Sequence, residues 1–133
     1  MTQASGTPGG KESGAHVLVV DDEASIRSLL AEILTVSGYR VTAVASAGMA
    51  LARAKLGRPD LLLTDLQLED SDGIELSRQV KEIYPDLPVI LLTGVLYKQD
   101  VVRAAMGETV STYLEKTVPL ERIIEEVQRL LDS

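Results

Sequence analysis

The stretch 61-LLLTDLQLEDSDG-73 decides how this chain is read. Three leucines and a threonine run straight into Asp65, and further acids follow at Glu69, Asp70 and Asp72. Like charges held close together cost free energy, so an apolar strand that ends on a carboxylate among other acids calls for a chemical reason. The apolar run is too short for a helix and reads as a strand, with Asp65 at its carboxyl end.

The same alternation extends outward in both directions. Upstream, 16-HVLVV-20 is a short valine-rich strand, followed by a helical stripe of Ile26, Leu29, Leu30, Ile33 and Leu34 closed by Gly38. A second strand, 40-RVTAVA-45, precedes a small-residue helix over 47–57. Downstream, Asp72 is placed to cap a helix over 73–84 that carries Ile74, Leu76, Val80 and Ile83. A fourth strand, 88-PVILLT-93, a weakly patterned helix over 99–106 and a fifth strand, 111-STYL-114, come next. The last helix opens at Pro119, where a missing N–H does no harm, and carries Leu120, Ile123, Ile124, Val127, Leu130 and Leu131. Five continuous apolar strands alternating with five helices predict a parallel sheet covered on both faces, doubly wound through right-handed crossovers.

Composition narrows the possibilities. A chain of 133 residues with 45% apolar composition is one domain with one core. Residues 1–15, MTQASGTPGGKESGA, are too polar to bury much surface and read as a flexible tail or linker, leaving 16–133 as the domain. A net charge of −7 and the absence of a Lys/Arg-rich segment argue against direct nucleic-acid binding. With no Phe or Trp, Tyr39, Tyr84, Tyr97 and Tyr113 are the only aromatics, which argues against a base-stacking platform. There is no cysteine, so disulfides and thiolate sites are excluded. No apolar run approaches the roughly 18 residues of a membrane span and no basic-then-apolar leader opens the chain, so the expectation is a cytoplasmic protein without membrane contact.

In open parallel sheets, sites form beyond the carboxyl ends of the strands. Strand one ends at Asp21 and Asp22, strand three at Asp65 and strand four at Thr93, while Lys116 lies just past strand five. Two or three carboxylates with no His or Cys beside them make a hard oxygen site suited to Mg²⁺ rather than zinc. A lysine and a hydroxyl can hold the remaining oxygens of a phosphoryl group, and a carboxylate can itself be the nucleophile that forms an aspartyl phosphate. Each group also has a plainer reading. Asp22 serves equally well as a helix cap, Thr93 as a strand end and Lys116 as a solvated lysine. Glu69, Asp70 and Asp72 read as a turn and a cap, and His16 as structural. An EF-hand over 68–73 fails because loop position one would be Leu68 and position twelve Gln79. The functional reading gains from coincidence: all five groups fall at one end of one sheet.

The segments 17-VLVVDDEASIRSLL-30, 61-LLLTDLQLEDSDGIEL-76, 89-VILLTG-94 and 113-YLEK-116 together resemble the receiver domain of two-component response regulators. The resemblance covers residues 16–132 and implies a flavodoxin-like sheet of order 2-1-3-4-5. It implies that Asp65 accepts a phosphoryl group from a sensor histidine kinase or phosphotransfer protein. Asp21, Asp22, Asp65 and the backbone carbonyl of Gln67 would hold Mg²⁺. Lys116 and Thr93 would bind the phosphoryl oxygens, and Thr93 and Tyr113 would form the switch. A downstream protein partner would then read the face built by the helix over 99–106, the fifth strand and the last helix. The domain would be no enzyme beyond assisting its own phosphorylation and dephosphorylation, with Gln67 and Val95 flanking the site and tuning lifetime.

This chain departs from the family pattern in three places. Glu69 and Ser71 stand where Pro and Met are usual, which adds a negative charge near the site. Thr117 follows Lys116 where a cis proline is common; a cis non-proline bond costs about 2.5–4 kcal/mol, which points to a trans peptide and a reshaped loop. The segment from Thr93 to Lys116 is also one residue longer than is common, with 95-VLYKQDV-101 the expected location. Two alternatives compete. One is a receiver-like interaction module that no longer uses phosphorylation. The other, an Asp-nucleophile phosphatase, needs a second Asp two residues after the nucleophile, where this chain has Gln67 or Glu23, and it needs more chain for a cap.

Overall fold

The computed structural model describes residues 14–94 and 109–132. Five strands, β1 (His16–Val20), β2 (Arg40–Val44), β3 (Leu61–Asp65), β4 (Val89–Thr93) and β5 (Thr112–Glu115), form one sheet in the order β2-β1-β3-β4-β5. Every pairing is parallel, as continuous apolar runs require. Four helices lie among the described residues: α1 (Ala24–Val36), α2 (Ala47–Leu56), α3 (Gly73–Ile83) and α4 (Leu120–Asp132). The expected helix over 99–106 and the extra residue within 95–101 lie outside the described residues.

Alternation along the strands divides the core in two. Leu18, Val20, Leu62, Val89 and Leu91 face α2 and α3, where Ala50, Ala54, Leu76 and Val80 pack against them. Val17, Val19, Leu61, Leu63, Ile90 and Leu92 face α1 and α4 through Leu30, Leu34, Ile123 and Val127. Both faces of β3 and β4 are buried, so these strands carry no polar residue until their ends. The stripe expected on α1 is narrower than its sequence pattern: Leu30 and Leu34 are buried, but Leu29 is 44% exposed. Gly38 ends this helix at φ 104°, a conformation that favours glycine, and its N–H reaches the Thr35 carbonyl.

One buried carboxylate ties α4 to the sheet edge. Glu126 accepts from Thr112 Oγ1 on β5 (2.9 Å), from Arg122 (2.9 Å) and from Arg129 Nε (2.8 Å). Arg129 foremost, then Arg122 and Thr112, hold its carboxyl down from 4.5 to about 2. A depressed carboxylate stabilises the fold above its unfolded value and loses that contribution as pH falls through its folded one. Stability from Glu126 is therefore expected to be intact at neutral pH and to disappear between about pH 4.5 and about pH 2. Acid titration of unfolding should show a shallower loss over that window for Glu126→Gln than for the parent; parallel curves would contradict it.

Candidate functional site

The carboxyl ends of β1, β3, β4 and β5 meet in one acidic hollow. Asp21 follows β1 and is fully buried, while Asp65 closes β3 at 6% exposure. Asp22 is half-buried beside them. One carboxylate oxygen from each of Asp21, Asp22 and Asp65 lies within 4.8 Å of the others. Lys116, the first residue past β5, brings Nζ to 3.0 Å from Asp65 Oδ2 and 3.2 Å from Asp21 Oδ2. Its position is set by the backbone, since the Lys116 N–H donates to the Thr93 carbonyl at 2.8 Å. Thr93 ends β4 at 4% exposure, opposite Glu115 in the register. The five groups read from the sequence are thus brought together.

Electrostatics follow from burial. Desolvation pushes the Asp65 carboxyl above the ordinary aspartate range, the Lys116 hydrogen bond and charge pull it back, and Asp21 adds to the rise. Burial also disfavours the Lys116 ammonium, yet Asp65 and Asp21 together outweigh it and hold its pKa above the usual lysine value. The lysine therefore stays charged and answers part of the negative cluster. Part of that charge remains unanswered. Asp21 Oδ1 accepts from the Glu23 N–H at 2.9 Å, while buried Asp21 Oδ2 has the Lys116 ammonium at 3.2 Å as its counter-charge. Three aspartate oxygens within 4.8 Å of one another, with one lysine to answer them and no His or Cys beside them, fit a small divalent cation such as Mg²⁺.

Several expectations resolve at the level of single bonds. Asp22 is not the cap of α1: Glu23 holds that position and makes no side-chain cap bond. Asp72 does cap α3, accepting from the Glu75 N–H at 2.8 Å. The Lys116–Thr117 peptide is trans. Gln67 is exposed on the loop after β3, and its backbone N–H supports the Asp65 carboxylate. Tyr113 is half-buried on β5 and packs against the core cluster that contains Leu91. Thr93 lies two residues beyond Leu91, so strand alternation puts it on the same face as Tyr113.

Sequence reasoning missed four contributors. Glu23 Oε1 approaches Lys116 Nζ at 3.3 Å across the mouth of the hollow. Arg27 donates to the Asp21 carbonyl at 2.7 Å and steadies the β1 end. Asp70, read as a solvated turn acid, accepts from the N–H groups of Ala47 (3.0 Å) and Gly48 (2.9 Å), which latches the loop after β3 onto the start of α2. Ser46, passed over at the end of the second strand, caps α2 through Met49 N–H at 3.2 Å. A serine directly before a helical pattern was the available signal for the last of these.

The sequence matches the family model of the response regulator receiver domain over residues 17–128. The chain belongs to that family. Among relatives of the receiver domain described above, the transcriptional regulatory protein GlrR of Escherichia coli K12 is 31% identical over 119 residues, spanning 90% of this chain and 27% of GlrR. Response regulator protein VraR of Staphylococcus aureus Mu3 is 35% identical over 115 residues, 85% of this chain and 54% of VraR. This receiver domain therefore spans between about a quarter and about half of the curated relatives it matches. Among solved structures, the receiver domain protein from Clostridium thermocellum superposes with a TM-score of 0.82 at 28% identity, covering 89% of this chain and 94% of that one. The chemotaxis response regulator CheY4 of Vibrio cholerae gives 0.79 at 29%, covering 89% and 99%. Both are similar to this chain over nearly their whole length.

Proposed function

We propose that this receiver domain takes a phosphoryl group onto Asp65 from the phosphohistidine of a sensor histidine kinase or phosphotransfer protein, in a Mg²⁺-dependent reaction. The observation that carries the reading is the approach of Lys116 Nζ to 3.0 Å from Asp65 Oδ2, within an aspartate cluster whose oxygens lie inside 4.8 Å of one another. An Asp65 carboxylate oxygen forms the new O–P bond, the P–N bond breaks, and its electron pair leaves with the imidazole. Lys116 pairs with a phosphoryl oxygen, and the Thr93 hydroxyl donates to another. Asp21, Asp22 and Asp65, with the Gln67 carbonyl, would hold Mg²⁺, which supplies charge neutralisation at the phosphoryl oxygens.

Phosphorylation adds about −1.5 to −2 charge and new acceptor oxygens at a site already short of donors. Drawing Thr93 toward those oxygens vacates space on the face it shares with Tyr113, and the ring's turn alters the surface along β5 and α4 that a downstream protein reads. Intact mass after incubation with a small acyl phosphate tests this. One phosphoryl adduct per chain is expected with Mg²⁺ and none with chelator. Absence of any adduct while Mg²⁺ binds would instead favour an interaction module uncoupled from phosphorylation.

A further inference from the structure

A second concave surface lies at the opposite end of the sheet from Asp65, where β1 and β2 begin and α2 ends. His16, Arg40, Thr42, Arg53 and Arg58 line a groove there of about 310 Å³. Three guanidiniums around one hollow are unusual in a chain of net charge −7. Their neutralisation is incomplete. The Arg53 side chain makes no hydrogen bond or ion pair among the described residues. Arg40 Nε donates only to a neutral carbonyl, that of Gly14, at 2.7 Å. Arg58 stands 3.9 Å from Asp60 Oδ1, while Asp60 Oδ2 is occupied by the His16 backbone N–H at 2.7 Å. Of the three guanidiniums only that of Arg58 has a carboxylate partner among the described residues.

We infer that this groove binds a small phosphate-bearing anion with two or more negative charges. A guanidinium offers a planar fork of donors that matches a phosphate face, and several converging on one hollow suit a compact multivalent oxyanion. The volume sits at the small end of ligand pockets, roughly 300–1,000 Å³. A long polyanion fits less well, because its further charges would meet the acidic remainder of the molecule. Nothing in this site depends on Asp65 or on the aspartate hollow, so it stands apart from the phosphoacceptor reading.

The groove carries its own reporter. His16 is the single histidine of the chain, and its Nε2 lies 2.7 Å from Thr42 Oγ1. Burial, then the charges of Arg40 and Arg53, hold the imidazole below its ordinary 6.5, with Asp60 partly opposing them. An anion seated among the arginines cancels that field and raises the imidazole's titration midpoint.

The test is an NMR titration of the full chain with inorganic pyrophosphate, without Mg²⁺, at ionic strength held constant with sodium chloride. Saturable movement of the His16 ring signals and an upward shift of their titration midpoint are expected. Arg53→Ala should weaken binding about tenfold, the size of one charge-assisted contact. Because the exposed Arg53 side chain makes no hydrogen bond or ion pair among the described residues, its loss should leave the spectrum of the core unchanged. Three results would overturn the inference: a response that chloride alone reproduces, Arg53→Ala binding as the parent does, or a hexaglutamate peptide moving the His16 signals where pyrophosphate does not. The last would assign the groove to an acidic protein segment.

Discussion

Asp65→Asn is expected to abolish phosphoryl incorporation while leaving the protein folded and more heat-resistant than its parent. Asparagine has nearly the same shape but no anionic oxygen to attack phosphorus, so the adduct should vanish rather than diminish. The stability gain follows from the site's charge. Burial, reinforced by Asp21, raises the Asp65 carboxyl above its ordinary range despite Lys116. A raised carboxyl pKa means that the ionised form opposes folding at neutral pH, and a neutral amide removes that opposition. Lys116 is not stranded, since Asp21 at 3.2 Å and Glu23 at 3.3 Å remain its partners. Intact mass after phosphodonor treatment with Mg²⁺, and thermal melting in Mg²⁺-free buffer, check the two halves separately, with a rise of a few degrees in Tm expected. An adduct retained on the variant would place the acceptor elsewhere; a lowered Tm would mean that the Lys116 pair outweighs the burial of the charge.

Gly73→Ala should be the most damaging single methyl near the site. A Cβ there would overlap the Asp65 carbonyl oxygen and stand 2.8 Å from Leu91 Cδ1. Neither neighbour can yield easily, because one is strand backbone and the other a fully buried side chain. Gly73 is also pinned on both sides, donating to the Leu66 carbonyl at 2.7 Å and accepting from Ser77 Oγ at 2.6 Å. Overpacking of this kind costs about 1–3 kcal/mol, against which alanine's helix preference returns less than about 1 kcal/mol. A net loss of about 2 kcal/mol corresponds to a fall in Tm of roughly 8 °C for a domain of this size. Phosphorylation should slow as well, since relief of the clash displaces the end of β3 that carries Asp65. Gly48→Ala is the matched control: its Cβ meets only Asp70 Oδ2, at an ordinary 3.5 Å. Equal melting of Gly73→Ala and parent would show that the close approach is not required.

The sheet was legible because a parallel strand buried on both faces has to be apolar throughout. Each of the five runs in the sequence became a strand, with ends displaced by no more than a residue, as for Asp65 at the close of β3 and Glu115 at the close of β5. The site was legible for a related reason: parallel strands deliver all their carboxyl ends to one edge, so the residue after each run is a candidate from the sequence alone. What could not be read depends on partners distant in sequence. Nothing local to 69-EDSDG-73 says that Asp70 meets the first turn of α2, more than 20 positions earlier. The pairing of Glu23 with Lys116 spans 93 positions. The exposure of Leu29 was hidden because helical periodicity marks a stripe and does not say how much of it the sheet can cover.

The strand order carries a consequence for how the chain assembles. No pairing in this sheet is a hairpin: His16 meets Arg40, 24 positions away, and Ile90 meets Thr112, 22 positions away. The central pair is more distant still, with Val17 opposite Leu61 across 44 positions. Each contact closes a long loop before it is rewarded by packing, so folding belongs to the slower regime of non-local topologies rather than the microsecond regime of helical bundles. The hollow at the strand ends needs β1, β3, β4 and β5 all in place. It therefore exists only once those four strands have paired, and a chain lacking any one of these pairings has no assembled aspartate–lysine cluster.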